Sequence, residues 1–254
     1  MLSDPKYNPL RRFDSLAAIY AKYRPDYPER ALDWIVERVA HRTLPIADIG
    51  AGTGILSRAL AKRSLNVVGI EPNDAMREQA VREGGASIDY RPGRAEQTGL
   101  SDQSVSGVVV AQAFHWCDPA AALDEFHRIL VPDGWATLIW NDADNDDPFT
   151  NGYWSALRSG TPEPEMVEKP HHVAGEPILT HPLFEVAIVR TIGHLQVVDE
   201  EGLLGRAFSV SFAPKECSAA DRFSRRLREL HQRFAEDGVA RLRYRTTLYQ
   251  ARRR

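Results

Sequence analysis

The strongest constraint on the fold is the glycine-rich sequence DIGAGTG at residues 48–54. An apolar segment, Ile46 to Gly50, has the pattern of a short buried strand. Residues 53–63 follow it and carry apolar side chains at helical spacing. Glycines permit a tight turn and the close approach of a ligand, and a helix N-terminus presents free N–H groups that suit a carboxylate or a phosphate. The pattern therefore predicts a strand–turn–helix unit that binds a small molecule.

Strand and helix patterns alternate along the first half of the chain. Further strands are predicted at residues 66–70, 87–91, 105–111 and 135–140, and helices at 73–83 and 119–130. The less regular second half adds predicted helices around 153–158 and at 221–235, and strands at 184–191 and 244–250. Alternation of this kind is typical of a parallel sheet with right-handed crossovers, and continuous apolar strands indicate that both faces are covered. The sequence predicts a doubly wound α/β sheet with helices on both faces.

Composition limits the class of protein. The 254 residues contain no internal repeat and no linker, so a single domain over 1–254 is expected. The net charge of −3 argues against nucleic acid or an anionic membrane as a standing partner. Because there is neither a signal-peptide pattern nor an apolar run of about 18 residues, a cytoplasmic protein is expected.

The spacing of the glycines and one acidic residue narrow the choice of ligand. A dinucleotide-binding fingerprint would place its third glycine at position 55, which is Ile55 here, so a nicotinamide-dependent dehydrogenase is disfavoured. Glu71 closes the second predicted strand, where a carboxylate can accept hydrogen bonds from both hydroxyls of a ribose. The expected ligand contains a ribose but is not a nicotinamide dinucleotide.

Successive motifs then carry a resemblance to one family. DIGAGTG, VVGIEPNDAM, GRAEQTGL, AQAFHW and EFHRILVPDGWATLIW, spread in order over about residues 20–141, resemble class I S-adenosylmethionine-dependent methyltransferases of type 11. The resemblance is closest to the small-molecule branch that includes trans-aconitate methyltransferase. It implies a Rossmann-like sheet of seven strands, mostly parallel with an antiparallel last strand, in which the segments near Phe184 and Tyr244 form the antiparallel sixth and seventh strands.

The resemblance also implies which residues bind S-adenosylmethionine. Asp48, Gly50, Gly52, Gly54, Gln112 and Ala113 would face its methionine end, Glu71 would hold its ribose, and Pro72, Asn73, Met76, Ala95 and Glu96 would surround its adenosine. The N-terminal element containing Tyr20 and Arg24 resembles a segment that folds over the cofactor. These two side chains either contact the methionine carboxylate or the acceptor, or belong to a loop that packs under the sheet edge. Residues 1–30 are expected to cover the site, and residues 141–182 and about 195–215 to form lids over an acceptor pocket.

His115 is the candidate catalytic residue. It lies just beyond the fourth predicted strand, at the edge where open α/β sheets bind ligands, and imidazole is suited to proton transfer near neutral pH. A hydroxyl acceptor usually needs such a base, whereas a carboxylate acceptor does not. His115 is therefore interpreted either as a general base or as a residue that lines the pocket. Cys117 is interpreted as an inert thiol, and His171 and His172 as solvated or pocket-lining side chains rather than metal ligands.

The expected activity is transfer of a methyl group to an oxygen or nitrogen atom of a small molecule, with S-adenosylhomocysteine as the other product. Two alternatives stay open at this point. The fold and cofactor could serve a cyclase or a ligand-binding protein that does not methylate. The arginine-rich segment 222–254 could serve a nucleic-acid methyltransferase, although a solvated helix face explains it more simply.

Overall fold

The computed structural model describes residues 16–39, 43–84, 88–161, 171–214 and 216–254. Seven strands form one sheet: β1 (Ile46–Ile49), β2 (Val67–Ile70), β3 (Asp89–Arg91), β4 (Val105–Ala111), β5 (Leu130–Ala143), β6 (Phe184–Val198) and β7 (Ala240–Arg253). Their order across the sheet is β3-β2-β1-β4-β5-β7-β6. The strands β1 to β5 pair in parallel, and β7 lies antiparallel to both β5 and β6. The predicted doubly wound sheet, mostly parallel with an antiparallel last strand, is confirmed.

Helices cover both faces of the sheet. Within the described residues they are α1 (Ala17–Tyr23), α2 (Glu29–Val36), α3 (Ile55–Ala61), α4 (Asp74–Gly84), α5 (Pro119–Ile129), α6 (Pro148–Gly160), α7 (Pro177–Thr180), α8 (Glu200–Phe208) and α9 (Cys217–Phe234). Successive residues of a strand point to opposite faces. Accordingly, Val108 and Val110 of β4 pack with α5, while Val109 between them packs with α2 and α3. Burial on both faces explains the continuous apolar strands.

The second half of the chain departs most from the predicted boundaries. The strand β6 extends to Val198 and β7 begins at Ala240, so both are longer than their apolar centres indicate. Their added residues alternate between buried and exposed in β7 and between half-buried and exposed in β6, as in a sheet with one covered face. The buried side chains Ala240, Leu242 and Tyr244 form a separate core with α6, α8 and α9. This small layer places α6 and α8 beside the carboxyl ends of the central strands.

Two helix boundaries also differ, for local reasons. Asp147 caps α6 by accepting a hydrogen bond from the Thr150 N–H at 2.8 Å, and Pro148 stands in the first turn, so α6 begins well before residue 153. The helix α3 begins at Ile55 because Gly54, at φ 77°, is still in the left-handed region.

Ser87 of the predicted third strand, residues 1–15 of the expected cover and residues 162–170 of the expected lid lie outside the described residues. No helix in the described ranges has the length and apolar character needed to cross a membrane.

Candidate functional site

The glycine turn joins β1 to α3 with three residues in the left-handed region. Gly50, Gly52 and Gly54 have φ values of 69°, 57° and 77°. A Cβ on Gly50 would come within 2.6 Å of the Ala113 Cβ, so a side chain there has no room. A Cβ on Gly52 would meet nothing within 4 Å. The backbone at Gly52 is therefore open on its outer side, as an approaching ligand requires.

Glu71 ties this turn to the end of β2. One carboxylate oxygen accepts a hydrogen bond from the Gly52 N–H at 2.8 Å, and the other accepts one from the Asn73 N–H, also at 2.8 Å. The residue is only 7% exposed, and burial raises the pKa of its carboxyl group. The Asn73 side chain in turn accepts a hydrogen bond from the Met76 N–H at 2.9 Å in the first turn of α4. Each Glu71 oxygen keeps a further lone pair for a ligand.

A cavity of about 130 Å³, which we call the glycine-turn cavity, opens along the carboxyl ends of β1, β2 and β4. Open α/β sheets bind ligands at this edge, where the strand order reverses. Ten of the sequence-predicted binding residues line it: Tyr20, Gly50, Gly52, Glu71, Pro72, Met76, Ala95, Glu96, Gln112 and Ala113. Arg94, Trp116 and Cys117 line it as well and were not predicted to do so. Burial raises the pKa of the Cys117 thiol to about 12, so that it remains protonated.

The other four predicted residues lie outside the lining of this cavity. Asp48 is buried behind the turn, where its Oδ2 accepts a hydrogen bond from the Ser57 hydroxyl at 2.5 Å and its Oδ1 has no partner. Burial raises the pKa of Asp48 to about 6. Gly54 precedes α3, and Asn73 caps α4. Arg24 lines a second cavity instead.

This second cavity, of about 250 Å³, we call the arginine cavity. It shares the side chains of Tyr20, Gln112 and Trp116 with the glycine-turn cavity, so the two meet there. Its other lining residues come from α6, α8, the end of β5 and the segments that follow α1, β4 and α8. They include Arg24, Tyr27, His115, Asn141, Asp142, Trp154, Arg158, His171, Arg206 and Phe212. The described parts of 141–182 and 195–215 therefore surround this cavity.

His115 lies in the wall of the arginine cavity. Its Nδ1 accepts a hydrogen bond from the Trp140 indole N–H at 3.4 Å, and its ring stacks on that of His171 with 4.3 Å between ring centroids. Burial, and then the neighbouring His171, lower the pKa of His115 to about 3. The imidazole is therefore neutral at pH 7, and the hydrogen bond from Trp140 places its proton on Nε2. A neutral ring of this tautomer donates a hydrogen bond and is a weak base.

Asp142 fixes the residues behind His115. Its carboxylate accepts hydrogen bonds from the backbone N–H groups of His171 and His172 at 3.2 and 3.3 Å, and the His172 Nδ1 lies 2.5 Å from its Oδ2. These contacts hold the short 3-10 turn at residues 171–175 against the end of β5. No group of three or more potential metal ligands is found among the residues that the structure describes.

The fold and this site define a class of protein. A glycine turn between β1 and α3, an acidic residue at the end of β2 and a cavity across the strand-order reversal are the features of the class I methyltransferases that the motifs resemble. Residues 47–138 match the family described as "Methyltransferase domain". The matched part of the chain, residues 47–138, is thus a class I methyltransferase domain.

Proteins similar to this chain are named methyltransferases. An uncharacterized methyltransferase of Mycobacterium tuberculosis is 42% identical over 132 residues, which are 52% of this chain and 53% of that protein. A ubiquinone biosynthesis O-methyltransferase of Pseudomonas aeruginosa is 31% identical over 144 residues, covering 52% of this chain and 62% of the relative. The similarity spans about half the length of the first of these relatives.

Solved structures resemble the chain over most of its length. A candidate type II methyltransferase from Anaeromyxobacter dehalogenans superposes with a TM-score of 0.65 at 22% identity, covering 91% of this chain and 98% of the other. A candidate methyltransferase from an antibiotic biosynthesis pathway of Anabaena variabilis gives a TM-score of 0.63 at 24% identity, covering 89% and 98%. At these identities the likeness supports the fold.

Proposed function

We propose that this chain transfers a methyl group from S-adenosylmethionine to an oxygen or nitrogen atom of a small molecule. The observation that carries the proposal is the pair of adjoining cavities. The glycine-turn cavity has the residues of a cofactor site, and the arginine cavity of about 250 Å³ is of a size for a small acceptor. The side chains shared by the two cavities would then surround the point of transfer.

The residues of the glycine-turn cavity fit the cofactor. The space in front of Gly52 is open, and Glu71 lines the cavity with a further lone pair on each oxygen. The unpartnered Oδ1 of Asp48 adds a buried acceptor behind the turn. We infer that Glu71 holds the ribose, that Met76 and Ala95 flank the adenine, and that the turn faces the methionine group. When bound, the cofactor supplies a methyl group on a sulfonium, which is already activated for displacement.

The protein's own contribution is alignment of the acceptor and exclusion of water, which supply much of the acceleration in such displacements. We propose that His115 hydrogen-bonds the acceptor through its Nε2–H and does not remove a proton from it. Its low pKa and the hydrogen bond to its Nδ1 support this role over that of a general base.

The contacts of the arginine-rich C-terminal segment support a small-molecule acceptor over a nucleic acid. Among the described residues, arginines of this segment pair with carboxylates of the same chain: Arg228 with Glu200, Arg241 with Glu236, Arg243 with Asp147, Arg245 with Asp144 and Asp146, and Arg252 with Asp133 and Glu185. Arginines that are paired in this way offer less positive charge to a phosphate backbone than their number implies.

The proposed activity is tested by cofactor binding followed by turnover. In calorimetric titrations we expect S-adenosylmethionine and S-adenosylhomocysteine to bind and NAD to show no heat of binding. In a screen of small acceptors, we expect S-adenosylhomocysteine to be released only when certain acceptors are present. Release that never exceeds the rate without acceptor would favour a protein that binds the cofactor without methylating. A salt-dependent gel shift with RNA or DNA would instead favour a nucleic-acid acceptor.

The low pKa of His115 predicts a pH dependence of stability. Because the unfolded chain takes up a proton near pH 6.5 and the folded chain only near the pKa of about 3, stability is full above the upper value and falls as the pH drops below it. Between about pH 7.5 and about pH 5.5, the wild type should lose roughly 1 kcal/mol more unfolding free energy than His115→Gln. Urea unfolding of both proteins at the two pH values measures this difference. Equal losses in the two proteins would show that His115 titrates normally.

A further inference from the structure

Arg206 is a buried cation without a counter-ion in the wall of the arginine cavity. The residue is 3% exposed, and its Nη1 is buried and has no hydrogen-bond partner. Its Nε donates to the Tyr244 hydroxyl at 3.4 Å. Within the described part of the chain it forms no ion pair. The guanidinium lies 6.0 and 5.9 Å from the ring centroids of Tyr153 and Trp154, which stabilise it only in part. A buried charge is costly unless it is paired, so an anion in the cavity would stabilise it further.

Arg24 adds a second cation to the same wall. Its Nη2 donates to the Ser209 carbonyl at 3.3 Å, its guanidinium lies 4.5 Å from the centre of the Tyr20 ring, and its buried Nε has no partner. Burial, and then the positive charge of Arg206, lower the pKa of Arg24, as expected for two like charges close together. Two neighbouring guanidinium groups lining one cavity form a site for an anion.

The position of Arg206 is fixed before any ligand arrives. The Tyr244 hydroxyl that accepts from Arg206 donates to the Gln196 Oε1 at 3.0 Å, and the Gln196 amide donates to the Tyr23 carbonyl at 2.8 Å. These successive hydrogen bonds, through side chains of β7 and β6, orient the Arg206 guanidinium. They leave Nη1 without a hydrogen-bond partner, and a preorganised donor binds an anion with less loss of entropy.

We propose that Arg206 and Arg24 bind a carboxylate of the acceptor, which rests on the proposed methyltransferase function. The planar fork of a guanidinium matches a carboxylate in two parallel hydrogen bonds. Trp154, Tyr27 and Phe212 provide aromatic walls beside the pair. The acceptor class that these groups fit is a small aromatic carboxylic acid.

The bound carboxylate anchors the acceptor and is not itself methylated. Neither arginine lines the glycine-turn cavity, and the junction of the two cavities is formed by Tyr20, Gln112 and Trp116. A carboxylate held by two guanidinium groups also has its lone pairs engaged in hydrogen bonds. The atom that receives the methyl group is therefore a hydroxyl oxygen or amino nitrogen elsewhere on the acid. A lone pair of this oxygen or nitrogen atom forms the bond to the methyl carbon. The electrons of the broken carbon–sulfur bond stay on sulfur, and the proton of the hydroxyl or amino group leaves to water.

Binding of simple probes tests this site without requiring turnover. Tryptophan fluorescence and thermal unfolding are followed while benzoate, 4-hydroxybenzoate, benzamide or phenyl phosphate is added. For the wild type, we expect the two carboxylates to bind and to raise Tm, and benzamide to bind at least about 10-fold more weakly. Arg206→Gln should weaken benzoate binding at least about 10-fold and leave benzamide binding unchanged. The exposed residue Arg225 provides the control, and Arg225→Gln should bind every probe as the wild type does.

Two further readouts separate an anion site from a structural role. Without ligand, Arg206→Gln should unfold at the same temperature as the wild type or higher, because a buried unpaired charge has been removed. Its affinity for S-adenosylhomocysteine should match that of the wild type. A lower Tm would assign Arg206 a structural role, and a loss of S-adenosylhomocysteine affinity would assign it to the cofactor; either result overturns the proposal. If Arg206→Gln does not fold, Arg24→Gln and the comparison of benzoate with benzamide on the wild type decide the question.

Other outcomes overturn the proposal separately from the methyltransferase function. Equal binding of benzoate and benzamide, or binding of phenyl phosphate alone, would contradict the proposed carboxylate site. If benzoate binds as expected but no acceptor releases S-adenosylhomocysteine, the methyltransferase proposal fails while the anion site stands. For any acid that is methylated, mass spectrometry should find a methyl ether or methylamine with a free carboxyl group. A methyl ester would overturn the anchoring role.

Discussion

Glu71→Ala should lower the affinity for S-adenosylhomocysteine by at least about 100-fold. The substitution removes the acceptor of the Gly52 and Asn73 N–H groups, and it also removes the proposed ribose contact. A hydrogen bond to a charged group contributes about 1.5–3 kcal/mol, and a loss of about 3 kcal/mol corresponds to roughly a 100-fold change in affinity. Isothermal titration calorimetry measures the dissociation constant for both proteins.

The matched control is Glu78→Ala. Glu78 is an exposed carboxylate on α4, close in sequence to Glu71, but it does not line the glycine-turn cavity. We expect its removal to leave the dissociation constant within about twofold of the wild type, because exposed charges contribute little. A Glu71→Ala protein that is folded by circular dichroism and still binds S-adenosylhomocysteine normally would contradict the assignment of the cavity.

Gly52→Ala should block cofactor binding while costing little stability. Both Gly52 and Gly99 are in the left-handed region, with φ values of 57° and 75°, and neither would bring a Cβ within 4 Å of another residue. Alanine at either position should therefore cost about 1 kcal/mol of unfolding free energy through backbone strain alone. Only at Gly52 does the new methyl group point into space that the cofactor is proposed to fill. The Glu71 hydrogen bond survives, because alanine retains the backbone N–H.

Gly99→Ala is the control, since Gly99 is exposed and lies outside both cavities. Urea unfolding should give similar free energies for the two variants. In calorimetry, only Gly52→Ala should lose S-adenosylhomocysteine binding, by about 100-fold or more, because overlap with a ligand is relieved only by moving one of them. Equal affinities in the two variants would place the cofactor elsewhere.

The central sheet and the glycine-turn cavity were predictable because their signals are local. In β4, continuous apolar residues showed that both faces are buried, and Glu71 follows directly on the apolar residues of β2. Parallel strands bring their carboxyl ends to one edge, so residues placed just after β1, β2 and β4 had to lie near one another. This geometry is why ten of the predicted binding residues line one cavity.

The arginine cavity was not predictable in the same way. Arg24 directly follows α1, Asp142 lies at the end of β5 and Arg206 lies on α8, and no sequence pattern links them. Arg206 follows a glycine within an amphipathic helix and resembles a surface arginine in the sequence, but its contacts with β7 and α6 bury it. The aromatic side chains nearby show the same difficulty: Trp154 and Phe212 line the cavity, whereas Phe208 packs against Phe223 in the adjacent core.

The close packing of α1 on α8 has a consequence for the order of events at the site. A Cβ on Gly205 would come within 2.5 Å of the Tyr23 ring, and the Tyr23 hydroxyl donates to Glu201 at 2.7 Å, so the two helices are joined. Tyr20 on α1 borders both cavities, while Arg206 on α8 borders one. Any displacement of this helix pair that opened the arginine cavity would therefore also open the glycine-turn cavity at Tyr20. We therefore expect exchange of the cofactor and of the acceptor to be coupled through this helix pair rather than random and independent.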